Sequence, residues 1–363
     1  MTQDIRYGVI GCGMMGQEHL RNIALLDGAE VAAIYEPNAA MAAASHVLAP
    51  GAVLCDDLDA LLSRDDLDCL LVASPNHLHV EQLDAVAARQ PLPVLMEKPL
   101  YTAPQHAERI AALTRDYPAP IWVAMEYRYM PPIAAFLDRL DEATGGVRML
   151  SIREHRFPFL PKIGHWNRFN RNTGGTLVEK CCHFFDLMRL CLRSDPVRVM
   201  ASAGQEVNHL DELYDGERPD IWDSAYVIVE FASGARAMLE LCMYAEGSRY
   251  QEELSATGPS GKIEAMVPGP GRFWPAHAGP APVPQVVLSP RSPKGPQVLE
   301  IPVDAEILAA GDHNGATFYQ HQRFLDVVRH GTSCEVTLAD GDWSVRMGLA
   351  AQQSALTGQA VTL

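Results

Sequence analysis

The chain is most constrained by how it begins: the apolar run IRYGVIG passes directly into Gly11, Gly13 and Gly16 and then into a helical pattern, IRYGVIGCGMMGQEHLRNIALL. In a strand that turns into a helix through G-x-G-x-x-G, Gly11 permits the tight turn and Gly13 lets the backbone approach a pyrophosphate. Gly16 allows the helix to pack closely on the strand. The first helical turn, at Met14 and Met15, presents free N–H groups to the anion. A second strand, EVAAIYEP, ends at Glu36, about twenty residues past the last glycine, where an acid meets the adenosine ribose. A carboxylate there accepts from the 2'-hydroxyl and repels a 2'-phosphate. The expectation is a dinucleotide site that takes NAD in preference to NADP.

Three further βα units follow, with strands near Val53 to Cys55, Cys69 to Ser74 and Val94 to Glu97. This spacing predicts a doubly wound parallel sheet, whose ligands sit beyond the carboxyl ends of the strands. Two loops fall there. SPNHLH supplies Ser74, Pro75, Asn76 and His79 as candidate cofactor contacts, and MEKPL supplies Glu97 and Lys98. His77 and His79 have an alternative reading as solvated residues of a helix start. Lys98 lies at a strand end facing the nicotinamide position, where a lone lysine reads as a substrate or hydroxyl contact.

At 363 residues the chain is long enough for two domains. We expect an NAD-binding domain over residues 1–126 and a substrate-binding and oligomerisation domain over residues 127–363. Strands in the second part are expected at Arg148 to His155, Val197 to Ala203, Ser224 to Phe231, Ala235 to Tyr244 and Gln251 to Thr257. That is antiparallel-sheet spacing. One face of such a sheet packs and the other is free to associate, which suggests a homodimer or homotetramer. Met266 to Gln297, dense in Pro and Gly, reads as an irregular excursion.

The stretch Gly174 to Leu190, GGTLVEKCCHFFDLMRL, reads as a helix that is apolar nearly all round. Its one ionisable stripe is Glu179, His183 and Asp186, which spacings of four and three place on one face. Such groups are either a satisfied core hydrogen bond or an acid/base couple facing a cleft. A bound nicotinamide needs a base, which favours the second reading. The preceding segment, Glu154 to Gly175, is a long connection, and long ordered loops are commonly functional. Its Arg156, Lys162, Trp166, Asn167 and Arg168 are candidate substrate contacts. Polar and aromatic types together suit a sugar, since rings stack on aromatic faces and hydroxyls need donors and acceptors.

Composition excludes several classes. A net charge of -16 with scattered Lys and Arg argues against a nucleic-acid partner. No apolar run reaches the roughly 18 residues of a membrane span, and the N-terminus lacks a signal pattern, so a cytoplasmic location is expected. Eight cysteines without small-scaffold spacing read as reduced core thiols. No metal is expected: His165, Cys181, Cys182 and His183 fail as a ligand set because adjacent helical cysteines point about 100° apart.

Taken together, GCGMMG, SPNHLH, MEKPL, GGTLVEKCCHFFD and the C-terminal DHNGATFYQHQRFLDVVRHG resemble the Gfo/Idh/MocA oxidoreductases, named after glucose-fructose oxidoreductase, inositol dehydrogenase and the rhizopine-catabolism protein. The resemblance spans most of the chain. It implies an α/β protein: an N-terminal Rossmann domain joined to a C-terminal α/β domain on a large open, mostly antiparallel sheet. It also implies sugar or cyclitol substrates. Lys98 matches the lysine of the family's E-K-P motif, His183 its catalytic histidine, and Glu179 a position where many members have aspartate. The expected activity is NAD-dependent oxidation of a secondary hydroxyl of a cyclic polyol or sugar (inositol, aldose or glycoside) to a ketone. His183 would be the base, Glu179 would stabilise its protonated form, and Lys98 would hold the substrate oxygen. Lys180 would either perturb that couple or point to solvent. The alternatives are a redox-neutral, NAD-retaining enzyme that cleaves glycosides and a non-catalytic sugar-binding sensor of the same fold.

Overall fold

The computed structural model describes residues 4–363. Short apolar runs bounded by glycine and polar turns build the first sheet: β1 (Ile5–Ile10), β2 (Ala29–Tyr35), β3 (Val53–Cys55), β4 (Cys69–Val72), β5 (Val94–Met96) and β6 (Ile121–Val123). All six are parallel, in the order β3-β2-β1-β4-β5-β6. β4, β5 and β6 are buried at every residue, as strands covered on both faces must be. The order reverses between β1 and β4, so the crevice opens beyond their carboxyl ends, between the glycine turn and the SPNHLH loop.

The second sheet has nine strands: β7 (Met149–His155), β8 (Pro196–Gly204), β9 (Ser224–Phe231), β10 (Arg236–Cys242), β11 (Glu252–Thr257), β12 (Gly261–Val267), β13 (Gln285–Pro290), β14 (Gln297–Glu300) and β15 (Val361–Thr362). Their order is β14-β13-β12-β11-β7-β10-β9-β8-β15. Every pairing is antiparallel except β7 with β10, which run parallel because the chain leaves β7 through the long connection and its helices before returning. Burial alternates along β9 and β10, which leaves Tyr226, Ile228 and Met238 uncovered on the outer face. The stretch expected to be an irregular excursion is only partly so. Within it QVVLSP forms β13 and pairs with β12 from Gly261↔Pro290 to Met266↔Gln285. Pro290 is tolerated as the last residue of the strand, where a missing N–H costs least.

The two sheets are tied together by the C-terminal helices. The Pro131–Thr144 helix packs on β12 and β13, whereas Ala316–His330 returns to the first sheet and lies against the Met14–Ile23 helix and β1. Phe324, Leu325 and Val327 are buried there. Leu338–Thr357 spans both parts, and its Gly348 sits so near the Leu177 carbonyl that a Cβ would lie 2.6 Å from that oxygen. No helix among the described residues is long and apolar enough to cross a membrane.

A charged latch fixes the C-terminal segment over the first sheet. His313 Nδ1 donates to Glu18 Oε1 at 2.8 Å, and Glu18 Oε2 accepts from the Asp312 N–H at 3.3 Å. Thr317 Oγ1 lies 3.0 Å from Glu18 and 2.6 Å from Glu126 Oε2, both buried. A hydroxyl has one proton, so Thr317 donates to one of the two carboxylates at a time. Burial raises the Glu126 carboxyl. Burial opposes the His313 imidazolium, yet Glu126 and Glu18 overcome it and push its pKa up to about 9.

The folded pKa of His313 is raised above its unfolded value, so its stabilisation is fully present below about pH 6.5 and is lost as pH rises through about 9. The thermal midpoint of the full chain should therefore drop more steeply between about pH 6.5 and pH 9 than that of His313→Gln, by a few degrees. Parallel curves would remove the latch.

Candidate functional site

A cavity of about 730 Å³ runs from the glycine turn of the first sheet to the edge of the second. At its first end the turn is shaped by contact. Gly11 has φ +87°, and a Cβ there would lie 2.6 Å from Ser74 Cα. A Cβ on Gly16 would meet the Gly11 carbonyl at 2.4 Å, whereas nothing approaches Gly13 within 4 Å. Open space over Gly13 beside a helix start without a side-chain cap is a cradle that a pyrophosphate fits. Met14 and Met15 line the cavity beside it. Glu36 accepts from the N–H of Cys12 at 2.6 Å and of Asn38 at 2.8 Å, which pins its carboxylate against the turn.

The SPNHLH and EKP loops form the adjoining wall. Ser74 Oγ donates to Gln82, Pro75 precedes a short 3-10 turn, and Asn76 Nδ2 is buried without a protein acceptor, consistent with a bound group there. His79 and Glu97, expected at the cofactor, are engaged by the protein instead. The His79 ring spans Ser74 O and Pro99 O at 3.1 and 2.8 Å, tying the two loops together. Glu97 is hydrogen-bonded to His19 at 2.9 Å and accepts from the Lys98 N–H at 3.2 Å.

The helix expected over Gly174 to Leu190 is two pieces, Thr176–Glu179 and Cys182–Leu192, with Lys180 and Cys181 between them. The break has a cause. Lys180 Nζ turns inward, 2.5 Å from the Tyr127 hydroxyl and 2.8 Å from Glu154, in place of reaching solvent. The Glu179 carbonyl at the break accepts from Lys98 Nζ at 3.2 Å.

The expected base couple does not form. Glu179 makes no hydrogen bond to His183; its carboxylate lies 3.9 Å from Lys162, and its Oε2 has no partner. His183 instead stacks flat on Tyr127, with ring centroids 4.1 Å apart and planes 6° apart. Its Nδ1 has no protein partner. Burial, then the charges of Lys98, Lys180, His313 and Arg156, hold its pKa well below the usual range, so it is a neutral imidazole able to accept a proton. Asp186 faces away and forms a forked pair with Arg128. For Lys98, burial disfavours the ammonium, but Cys182, Glu97, Glu179 and Glu126 outweigh it and raise the pKa, so the cation persists.

The connection after β7 divides in two. Arg156, Lys162 and Asn167 line the cavity. Trp166 and Arg168 stand behind it: the Trp166 ring carries Lys162 Nζ 4.6 Å from its centroid, and buried Arg168 pairs with Glu212 at 3.0 Å. Tyr127, Glu252 and Arg272 also line the cavity and had no signal in the sequence, since their neighbours are distant in the chain; His313, in the C-terminal stretch that carries the resemblance, lines it too. Glu18, Glu126 and His313 place ligand-type atoms within 4.8 Å of one another, and in the structure these groups are hydrogen-bonded to one another and to Thr317.

The family model described as "Oxidoreductase family, NAD-binding Rossmann fold" matches residues 5–125, and that described as "Oxidoreductase family, C-terminal alpha/beta domain" matches residues 141–363. An inositol 2-dehydrogenase of Rhizobium meliloti (strain 1021) is 26% identical over 264 residues, covering 72% of this chain and 75% of its own. One from Arthrobacter sp. (strain FB24) is 29% identical over 248 residues, 68% of this chain and 69% of its own. Among solved structures, levoglucosan dehydrogenase in complex with NADH and levoglucosan superposes with a TM-score of 0.80 at 20% identity, over 99% of each chain.

Lys180 contributes to the depressed pKa of His183, so removing its charge should raise that pKa toward the ordinary value. In Lys180→Met the acid limb of the pH–rate profile should move to higher pH, and Lys180→Arg should restore it. An unmoved limb in the methionine variant would separate Lys180 from the base.

Proposed function

Because the chain belongs to the Gfo/Idh/MocA oxidoreductase family, with its NAD-binding Rossmann domain and C-terminal α/β domain, we propose that it oxidises a secondary hydroxyl of a cyclic polyol or sugar to a ketone. The observation that carries this reading is a single cavity lined by Met14 and Met15, the first residues after the glycine turn, and by both Lys98 and His183. NAD, when bound, supplies the hydride acceptor. Gly13 leaves room for its phosphates while Gly11 and Gly16 let the turn pack closely, the N–H groups at Met14 and Met15 face the phosphates, and Glu36 accepts from the adenosine ribose. Ser74, Pro75 and Asn76 close the wall beside it.

His183 takes the hydroxyl proton, since its ring is neutral and held by stacking on Tyr127. Lys98, anchored through the Glu179 carbonyl, stabilises the oxygen as negative charge develops. In this reading Glu179 acts on the lysines and not on the imidazole. Hydroxyl-bearing rings find donors in Arg156, Lys162 and Asn167. The uncovered outer face of the nine-stranded sheet, with Met149, Tyr226, Ile228 and Met238 exposed, supports association into a homodimer or homotetramer.

NAD should bind more tightly than NADP, and Glu36→Ala should narrow the difference, as read by fluorescence titration of both. Tighter NADP binding by the parent would overturn the ribose assignment.

Inositols, aldoses and glycosides screened with NAD should give NADH absorbance with at least one ring polyol. His183→Ala should lower that turnover roughly 100-fold or more at nearly unchanged NAD affinity. Turnover confined to acyclic alcohols would refute the class. Glycoside cleavage without net NADH would identify a redox-neutral cycle instead.

A further inference from the structure

The charges of this cavity are out of balance in a way the rest of the chain is not. Several shielded cations are matched: Arg128 with Asp186, Arg168 with Glu212 at 3.0 Å, and, on the cavity wall, Lys180 with Glu154 at 2.8 Å. The three cations grouped around Glu179 on that wall are not. Lys98 Nζ bonds to a backbone carbonyl, Glu179 O, at 3.2 Å. Arg156 Nε donates to Phe157 O at 3.1 Å, and its nearest carboxylate, Glu154, lies at 3.6 Å and is already paired with Lys180. Lys162 has Glu179 at 3.9 Å, beyond hydrogen-bond reach.

Glu179 is the carboxylate that all three of Lys98, Arg156 and Lys162 act on, and it cannot neutralise all three. The next acid, Glu252, does not correct the deficit. It is the cross-strand neighbour of Glu154, and burial, then the Glu154 charge, push its carboxyl up to about 7. Two of the cations are also fixed without being neutralised: the Arg156 guanidinium sits 4.4 Å from the Phe157 ring centroid and Lys162 Nζ 4.6 Å from that of Trp166. Crowding is felt by the groups themselves, for burial and the neighbouring Lys98 and Arg156 charges depress Lys162. In a chain of net charge -16 this positive surplus is concentrated where a ligand enters.

We propose that the substrate is an acidic polyol, a ring or sugar derivative carrying one carboxylate or phosphate, whose acid group lies between Arg156 and Lys162 while Lys98 and His183 face the hydroxyl to be oxidised. This rests on the dehydrogenase reading and specifies its substrate class. A neutral hydroxyl accepts hydrogen bonds from these heads but leaves the surplus charge in place, whereas an anion removes it. The acid group is distinct from the phosphates of the dinucleotide, which belong at the glycine turn across the cavity.

The test compares matched pairs with NAD on the full-length protein: glucuronate against its methyl ester, galacturonate against galactose, and glucose 6-phosphate against glucose. The acid of at least one pair should exceed its neutral partner in kcat/KM by roughly 10- to 100-fold, mostly through KM. That ratio should fall toward one in Arg156→Gln and in Lys162→Met, each checked for retained NADH binding. The uronate and phosphate arms identify which acid is held. Neutral partners turned over as well as the acids would overturn the proposal and leave the dehydrogenase reading standing. If no pair is turned over, the dehydrogenase reading fails for these rings. Thermal shifts of the NADH complex then still decide the charge question, because acids that stabilise no more than their neutral partners would overturn it.

Discussion

The position of Lys98 depends on a line of buried hydrogen bonds that starts in the C-terminal helix. Tyr7 OH lies 3.3 Å from His321 Nδ1, His321 Nε2 lies 2.8 Å from His19 Nδ1, and His19 Nε2 lies 2.9 Å from Glu97 Oε1. One proton order satisfies every link: the phenol donates to His321, His321 donates to His19, and His19 donates to the carboxylate. The opposite order would require the carboxylate to donate and would strand the phenolic proton without an acceptor in this line. Burial holds the Tyr7 phenol well above its usual range and keeps His321 neutral, as this order requires. Glu97 Oε2 then accepts from the Lys98 N–H. Elements from β1, the first helix, the EKP loop and the C-terminal helix are thereby locked into one arrangement, because an unmet buried polar group at any link is costly.

The legible part of this design is local. The glycine spacing after β1, the acid ending β2 and the loops after β4 and β5 each state their role within a few residues, and the structure gathers them at one crevice. What stayed hidden was decided by distant partners. The apolar periodicity of GGTLVEKCCHFFDLMRL runs straight through its break, because the break comes from Lys180 reaching Tyr127 and Glu154, 53 residues away in the first case. Glu18 and His313 meet across 295 residues. Residue type alone also cannot say which way a loop side chain faces, so Trp166 and Arg168 look like Arg156 and Lys162 in the sequence and stand behind them in space. β13 was masked because the Pro and Gly around QVVLSP dominate the composition of its neighbourhood.

The broken helix changes the electrostatic logic of the site. In an unbroken helix, Glu179 and His183 would share a face, and a carboxylate beside the imidazole would raise its pKa. Here the ring stacks on Tyr127 among cations, so it stays neutral and accepts protons without a carboxylate partner. Protonation then occurs against a positive field, which makes the imidazolium a strong acid that readily passes its proton onward.

Glu179 nevertheless sits at the centre. Its backbone carbonyl, at the break, holds Lys98, while its side chain extends toward Lys162. One residue therefore couples Lys98 to Lys162 of the connection after β7. Burial, which raises the Glu179 carboxyl, is opposed first by Lys162 and then by Lys98, so any movement of Lys162 toward a ligand weakens the support for the carboxylate. A shorter acid on the same backbone would reach less far toward Lys162. The extra methylene at position 179 and the positive surplus around it are thus parts of one arrangement, in which Lys162 and Lys98 respond to the same carboxylate.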